Sequence, residues 1–421
     1  MKTKLFLRHA FLPVLILGFM TSCSDNDSPK EKEEEYELTK VIHLPEKSRA
    51  TAEKLGDFYL SLTANVADYM DVTNKEKNFV ISPLSVSMVL GMVGNAVEGD
   101  LKEEIVRYLS TDDLEGINQL SEILLEELPV IDRKTNLKLA NSIWVNNEYE
   151  LRTDFSTSMS KDYRSFIDYF NVQDATKTAQ DINLWCASNT GNIIGDYIVP
   201  EQINSDLKAM LLNAMYFKSE WRVKDLFDIN DTKESPFHGT DGTTSVKMME
   251  SKWMGTSCYV DDNFTYCTVP FGNYAFSMEI MLPAEGKNLS DMALENCIQM
   301  ARRKIEFYDN VKIRLPKFNV MGELDLNEIL EASGLSSVSS VAPLSLFTKK
   351  TDGLISFRQK TVFEIDERGA KTASVSSAEI LDTNSGPSKE PIEINVDKPF
   401  IFFITERSTG ACIVAGRITD L

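Results

Sequence analysis

Histidine is scarce in this chain: three of its 421 residues are histidine, and His9 lies in the N-terminal segment. A Ser-His-Asp or Cys-His enzyme needs an imidazole base beside its nucleophile, and neither His43 nor His238 has a recognisable partner motif. The sequence also lacks a GxGxxG motif and a Walker motif. It therefore offers no positive case for an enzyme, and no cofactor is predicted.

Basic residues are outnumbered by acidic ones: 44 Lys and Arg stand against 64 Asp and Glu, which gives a formal net charge of -20. No cluster of Lys or Arg is present that could follow a phosphate backbone, and nucleic-acid binding depends chiefly on such clusters. Nucleic acid is therefore not expected as a partner.

Cysteine is limited to six residues, with no CxxC motif. Five of them follow Cys23, and this odd number argues against a disulfide framework or a zinc site, so no metal is predicted. Cys412 lies within an apolar run and is predicted to be a small core residue. Cys258 and Cys267 could face each other across a hairpin, although spacing alone does not fix strand pairing. The other two are Cys186 and Cys297.

Interdomain linkers and internal repeats are missing as well. The length alone would suggest about three domains, but no stretch rich in Pro, Gly or Ser interrupts residues 51–421. With 43% hydrophobic residues the chain can bury a substantial core. One large α+β domain over 51–421 is therefore predicted.

The N-terminus has the features of a targeting segment. Lys2, Lys4 and Arg8 precede an apolar run over 11–20, which is too short to span a bilayer comfortably. The small residues that end in Cys23 resemble a bacterial lipobox. Residues 1–22 are thus predicted to be a lipoprotein signal peptide, with Cys23 as the lipidated residue. The alternative is an ordinary secretory signal with an incidental cysteine.

Residues 23–50 are predicted to be an acidic, solvated tether, because they lack apolar periodicity. An acidic patch just after a lipobox cysteine is similar to the surface-export signal of Bacteroidetes lipoproteins, although a plain charged linker is equally plausible. The predicted location is the bacterial outer membrane, held by the lipid, with exposure at the cell surface or in the periplasm.

The stretch from Phe363 to Ala378 is the most informative part of the chain, because a charged strand end and a glycine lead into a run of small residues that starts at Ala370. In an extended conformation its alternate residues form a face that is small and uncharged, which could enter a sheet without overpacking the core. The alternative is a flexible loop rich in Ser and Ala. The residues on this face are Ala370, Thr372, Ser374, Ser376 and Ala378.

Two apolar runs follow near the C-terminus, over 399–404 and 411–415, around a polar turn that contains a glycine. This pattern predicts a buried C-terminal hairpin.

At this point the sequence resembles the serpin family, from about residue 51 to the C-terminus. The hinge sequence from Glu367 to Ala370 is similar to the family's Glu-Glu-Gly-Thr, and the C-terminal runs resemble its last strands. Earlier motifs occur in the family's order; they are Asn78-Phe-Val-Ile-Ser-Pro-Leu-Ser-Val, Leu139-Ala-Asn-Ser-Ile-Trp, Ile182-Asn-Leu-Trp, Leu212-Asn-Ala-Met-Tyr-Phe-Lys-Ser-Glu-Trp and Met281-Leu-Pro.

The resemblance implies an α+β serpin fold with three β-sheets, eight to nine helices and an exposed reactive-centre loop over about 367–391. It also implies a suicide-type inhibitor that traps a serine or cysteine protease when its cleaved loop enters the central sheet. A non-inhibitory serpin that acts as a binding or chaperone-like surface lipoprotein is the alternative. A surface lipoprotein of another class, such as a glycan-binding module, is more distant.

Site residues follow from the resemblance alone. The hinge comprises Glu367, Gly369, Ala370, Thr372, Ser374 and Ser376. The residues at which the sheet opens are Ser82, Ser85, Asn213, Gln359 and Trp221. Gln359 stands where many members have histidine, and its amide can donate and accept as a neutral imidazole does, without titrating. Ordinary roles for the others are helix caps and a core tryptophan.

The cleaved bond is predicted by counting. Seventeen residues from Glu367, the family's usual spacing, give Thr383-Asn384. A count back from the C-terminal strands gives a position near Ser388 instead. Leu381, Asp382 and Asn384 are competitors, and Lys389 would suit a trypsin-like pocket but leave an overlong inserted arm. The partner expected is an elastase-like, subtilisin-like or papain-like protease, bound by a monomer.

Overall fold

The computed structural model describes residues 39–73, 78–370 and 389–421. Within them the chain forms eight α-helices, which are α1 Glu46–Thr73, α2 Pro83–Ala96, α3 Asp100–Tyr108, α4 Leu114–Glu127, α5 Thr153–Asp162, α6 Ala175–Asn189, α7 Leu294–Lys304 and α8 Leu326–Ala332. Short 3-10 turns lie at Leu128–Val130, Val172–Asp174, Pro200–Gln202, Leu289–Asp291 and Ser336–Ser339.

The same residues form eighteen strands. They are β1 Phe79–Ile81, β2 Thr135–Asn146, β3 Phe166–Phe170, β4 Ala209–Glu220, β5 Lys233–His238, β6 Thr243–Glu250, β7 Met254–Val260, β8 Phe264–Pro270, β9 Phe276–Pro283, β10 Glu306–Pro316, β11 Phe318–Asp325, β12 Ala342–Leu344, β13 Thr351–Gly353, β14 Arg358–Ile365, β15 Gly369–Ala370, β16 Ile392–Asn395, β17 Phe400–Glu406 and β18 Cys412–Ile418.

The largest sheet has ten strands and contains the C-terminal hairpin. Its order is β1-β18-β17-β9-β8-β7-β10-β6-β5, and β16 adds to β10 in parallel. Every residue of β17 and β18 is buried, because apolar runs of this kind are stable only where both faces are covered. The predicted hairpin is confirmed, and Cys412 is a buried residue within it.

The remaining described strands form three smaller groups. One has the order β15-β4-β2-β3, and the ribbons β11-β14 and β12-β13 stand apart from it. The α+β class with eight helices and several sheets agrees with the prediction. The strand pairing gives four groups rather than three sheets, because β4 and β14 are not hydrogen-bonded to each other in the described part of the chain.

The folded domain begins before residue 51, so the predicted tether boundary at residue 50 is corrected. Ile42 and Leu44 are buried, and α1 already starts at Glu46. The Thr39 hydroxyl donates to the carbonyl of Asn273 at 2.7 Å. Charge composition predicted a solvated segment here, but two apolar side chains reach the core.

Cys258 and Cys267 lie directly opposite each other on β7 and β8. Both are buried free thiols, so the possible disulfide is not formed in this structure. Burial raises the pKa of Cys258 to about 12, and it raises that of Cys267 well above its usual value.

In the described ranges no helix is long and apolar enough to cross a membrane.

Candidate functional site

The candidate site is the gap that the described residues leave between β4 and β14, which are not hydrogen-bonded to each other there. In the part of the chain that the structure describes, β15 is the only strand that pairs with β4 on this side, and it covers two residues at one end. Two cavities of about 50 and 170 Å³ lie between the strands, lined by residues of both. A sheet parted in this way leaves backbone donors and acceptors that an added strand can satisfy.

The chain reverses direction at the entrance of the gap. Asp366 and Gly369 exchange two backbone hydrogen bonds of 3.1 Å, so that Glu367 and Arg368 form a tight turn after β14. Gly369 has a φ of +118°, and a Cβ added there would lie 2.3 Å from the carbonyl oxygen of Ser219. Only glycine fits this close approach to β4 without strain.

Two early residues of the predicted exposed loop, Gly369 and Ala370, are therefore buried. Ala370 is 2% exposed and pairs with Ser219 on β4. The expectation of an exposed loop is corrected for Gly369 and Ala370, because the tight turn directs them into the gap. The hinge residues Thr372, Ser374 and Ser376 and the predicted bond Thr383-Asn384 lie outside the described residues, as does Cys23.

Trp221 fixes the turn to the end of β4. Its indole nitrogen donates to the carbonyl of Asp366 at 3.1 Å, and its backbone amide donates to the carbonyl of Arg368 at 3.2 Å. The buried indole stacks on Phe271, with ring centroids 4.6 Å apart. A single side chain thus combines apolar burial with a directed hydrogen bond.

Glu367 is held by two partners that the sequence did not indicate. Lys317 Nζ donates to one carboxylate oxygen at 2.7 Å, and the Thr232 hydroxyl donates to the other at 2.8 Å. Burial opposes ionisation, but these hydrogen bonds prevail and lower the pKa of Glu367. Both partners are more than 45 residues away in sequence, so no local signal could have identified them.

Beneath the middle of the gap lies the start of α2. The Ser82 hydroxyl caps this helix by accepting from the Ser85 amide at 3.3 Å, and it donates to the Ser85 hydroxyl at 2.9 Å. Pro83 occupies the first helical turn, where its missing N–H costs nothing. Gln359 of β14 binds the backbone of Ser82 through both ends of its amide.

Asn213 faces this region from β4 and lines the same cavity as Ser82, Ser85 and Gln359. Its Nδ2 donates to Asn141 Oδ1 at 2.8 Å, a residue that was not predicted although it lies opposite Asn213 on β2. Among the described residues Asn213 Oδ1 is buried without a hydrogen-bond partner. A buried acceptor without a hydrogen bond costs free energy, so a donor brought next to Asn213 Oδ1 would be stabilising.

A segment after α6 crosses the gap on its outer side. Gly191 lies against the ring of Tyr216 on β4. On the other side, the Tyr197 hydroxyl donates to the carbonyl of Arg358 at 3.2 Å, and Asp196 forms an ion pair with Lys360 at 2.8 Å. The sequence gave no signal for these contacts, because they join loop and strand residues far apart in the chain.

The other end of the loop is anchored on β10. Lys389, the first described residue after it, donates to Glu306 at 2.6 Å, and its ammonium lies 4.1 Å from the centroid of the Tyr308 ring. The hydrogen bond with Glu306 raises the pKa of Lys389. This lysine is engaged by its own chain.

The described part of the chain contains two histidines, His43 and His238. His238 Nδ1 lies 3.1 Å from the Thr243 hydroxyl, across the β5–β6 pair. His43 lies in the segment before α1. No group of three or more His, Cys, Asp or Glu residues in the described ranges could hold a metal ion.

Comparison with known proteins agrees with this architecture. A family model described as serpin, serine protease inhibitor, matches residues 57–421. Serine protease inhibitor 42Dd of Drosophila melanogaster is 30% identical over 345 residues, covering 80% of this chain and 90% of that protein. The leukocyte elastase inhibitor of Bos taurus is 29% identical over 380 residues, covering 86% and 96%.

Solved structures show the same fold. Serpin48 of Tenebrio molitor superposes with a TM-score of 0.75 at 23% identity, covering 90% of this chain and 100% of that one. The native structure of tengpin, a thermophilic serpin, gives 0.75 at 23% identity, covering 92% and 98%. Since the family model matches most of the chain, this protein belongs to the serpin family.

Proposed function

We propose that this serpin inhibits proteases by a suicide mechanism in which its cleaved loop inserts between β4 and β14. The matching family model and the relatives reported above are described as serine protease or elastase inhibitors. The observation that carries the proposal is the gap itself, whose entrance is already occupied by Gly369 and Ala370 paired with β4. Insertion of a strand is a known mode of recognition and of strain release in this fold.

The register at the entrance supports a specific fit in the middle of the gap. Ala370 pairs with Ser219, and Asp366 bridges to Gly369. If both antiparallel registers continue, Ser376 falls opposite Asn213 on one side and Gln359 on the other. Its hydroxyl could then donate to the unpartnered Asn213 Oδ1.

The chemistry begins with the protease. Its serine or cysteine nucleophile attacks the carbonyl of the residue before the cut and forms an acyl-enzyme, while the amine of the next residue leaves with a proton. Insertion from Ala370 to the predicted cut at Thr383 adds about 14 residues of strand, roughly 45 Å at 3.3 Å each. The attached protease is carried that distance, which distorts its active site before water can release it.

Small and aliphatic residues around 380–383 support a target of the elastase, subtilisin or papain type. Lys389 is the only basic residue between Lys371 and the start of β16, but its ammonium is held by Glu306 and Tyr308. A trypsin-like pocket would have to displace both contacts. One relative is named a leukocyte elastase inhibitor, in line with a preference for an elastase-like target.

Incubation with pancreatic elastase, subtilisin and papain tests this function directly. We expect a covalent complex that survives denaturation in SDS with at least one of them. A nick between Ala378 and Lys389 by a protease that is not trapped should raise the thermal midpoint by tens of degrees. Cleavage without a complex and without a rise in the thermal midpoint would favour the alternative function, a non-inhibitory serpin that acts by binding.

We also propose that the protein is a monomer anchored in the bacterial outer membrane through Cys23, after removal of a signal peptide over 1–22. Two or more acyl chains give stable membrane attachment. The Cys23→Ala variant should therefore move from the membrane fraction to the soluble fraction. Cleavage of the anchored protein by a protease added to intact cells would indicate surface exposure, whereas protection would indicate the periplasmic face.

A further inference from the structure

Two large aromatic side chains are exposed close together on the ten-stranded sheet. Phe307 on β10 is 55% exposed, and Trp253, just before β7, is 46% exposed. Single exposed apolar residues are common on proteins, but adjacent aromatic residues are typical of binding surfaces. Neither is accounted for by the gap between β4 and β14 or by the core.

Both rings are held in place by neighbouring residues. Phe307 lies opposite Ser257, and its ring covers Gly255, where an added Cβ would be 2.7 Å from Cζ. Trp253 is two residues before Gly255, roughly 7 Å away along an extended chain. The ammonium of Lys312 lies 5.9 Å from the Trp253 ring centroid. Little side-chain entropy remains to be lost when a partner covers such rings.

The aromatic pair borders the exit of the reactive loop. β10 and β16 are parallel, with Val311 opposite Ile392, and Lys389 accordingly lies beside Tyr308. Lys389 also contacts Glu306, so the two residues that hold the loop's C-terminal end flank Phe307 along β10, while strand alternation directs the Phe307 ring to the opposite face of the strand. On the other side, Lys312 beneath Trp253 is opposite Glu393 of β16.

We propose that Trp253 and Phe307 form a docking surface for the body of the protease that cleaves the loop. This inference rests on the proposed function, because the loop that the protease would cleave leads into β16, which pairs with β10 beside these two residues. Aromatic side chains supply a large share of binding energy at interfaces. Since insertion later carries the protease away, the contact accelerates association and does not affect trapping.

The test compares the Trp253→Ala, Phe307→Ala and double variants with the unmodified chain, using whichever of pancreatic elastase, subtilisin and papain reacts fastest. We expect the association rate constant to fall about tenfold in the double variant, the equivalent of about 1.4 kcal/mol. The stoichiometry of inhibition and the thermal midpoint should not change. The control is Tyr169→Ala, because Tyr169 is 50% exposed on β3 in a different sheet.

The outcomes separate the two proposals. Normal complexes with unchanged rate constants in the double variant would overturn the docking surface and leave the inhibitory function intact. No stable complex with any of the three proteases would overturn the function together with this inference. Phe307→Ala also uncovers Gly255, so this variant could lose stability as well as a contact with the protease. If its thermal midpoint falls, the test rests on Trp253→Ala, because Trp253 lies outside the strands. An unchanged association rate constant in Trp253→Ala would then overturn the docking surface.

Discussion

Gln359 and Ser82 form a two-way hydrogen-bonded pair between β14 and the start of α2. The Ser82 amide donates to Gln359 Oε1 at 2.8 Å, and Gln359 Nε2 donates to the Ser82 carbonyl at 3.0 Å. One carboxamide thus satisfies the donor and the acceptor of the same residue. Because an amide does not titrate, this contact is independent of pH across the physiological range.

Gln359→Glu should weaken this contact at neutral pH. The carboxylate can still accept from the Ser82 amide, but it cannot donate to the Ser82 carbonyl, which should cost about 1–3 kcal/mol. The new carboxyl group then has a raised pKa in the folded state. The loss of stability relative to the unmodified chain should therefore shrink as the pH falls through that pKa. Urea unfolding at pH 7.5 and pH 4.5 measures the effect. Gln173→Glu, at an exposed position, is the control; equal losses at both pH values would contradict the prediction.

Gly369→Ala should destabilise the entrance of the gap. The added Cβ would meet the Ser219 carbonyl at 2.3 Å in a backbone conformation that suits glycine. We expect the free energy of unfolding to fall by about 1–3 kcal/mol. The matched control is Gly56→Ala, which meets no atom within 4 Å inside α1 and should be neutral or stabilising. Equal stability of the two variants would refute the conformational argument.

Glu367→Gln should show that the ion pair between Glu367 and Lys317 makes a pH-dependent contribution to the free energy of unfolding. The folded-state pKa of Glu367 is lowered, so its stabilisation is fully present above the ordinary glutamate value of about 4.3 and is lost as the pH falls through the folded-state pKa. We expect a difference of about 1.5–3 kcal/mol from the unmodified chain at pH 7. Thermal or urea unfolding should show this difference vanish in stronger acid. A stability difference that persists in stronger acid would show that packing of the Glu367 side chain, and not its charge, stabilises the protein.

Under the proposed insertion mechanism, Ala370→Arg should convert the protein from an inhibitor into a substrate. Ala370 is 2% exposed, and a guanidinium at that position would be buried without a partner, at a cost of several kcal/mol. Entry of the hinge into the gap should therefore become slow relative to release of the acyl-enzyme. Gel analysis should show cleaved protein in place of SDS-stable complex, while Ala370→Ser keeps the complex. Unchanged stoichiometry in the arginine variant would show that Ala370 does not face into the sheet.

Local patterns allowed part of this structure to be predicted. The apolar runs of β17 and β18 and the glycine between them predicted the buried hairpin, because burial of both faces requires continuous apolar sequence. The tether boundary was missed because the acidic composition around it outweighed the two apolar residues Ile42 and Leu44, which are buried. The Ile42 amide donates to the hydroxyl of Ser408, a contact too distant in sequence for a local pattern to indicate.

The sequence by itself identified an α+β serpin through its resemblance to the family's motifs. It also determined that the segment after Gly369 carries a small, uncharged face, since this follows from residue type and spacing along the chain. Only the tertiary structure decided that Ala370 is already paired with β4. It also decided that Lys317 and Thr232 donate hydrogen bonds to Glu367. In the same way, it decided that Asn213 donates a hydrogen bond to Asn141. Those contacts join residues on separate strands and turns. Their geometry is set by strand order and register, which hydrophobic periodicity within one segment does not encode.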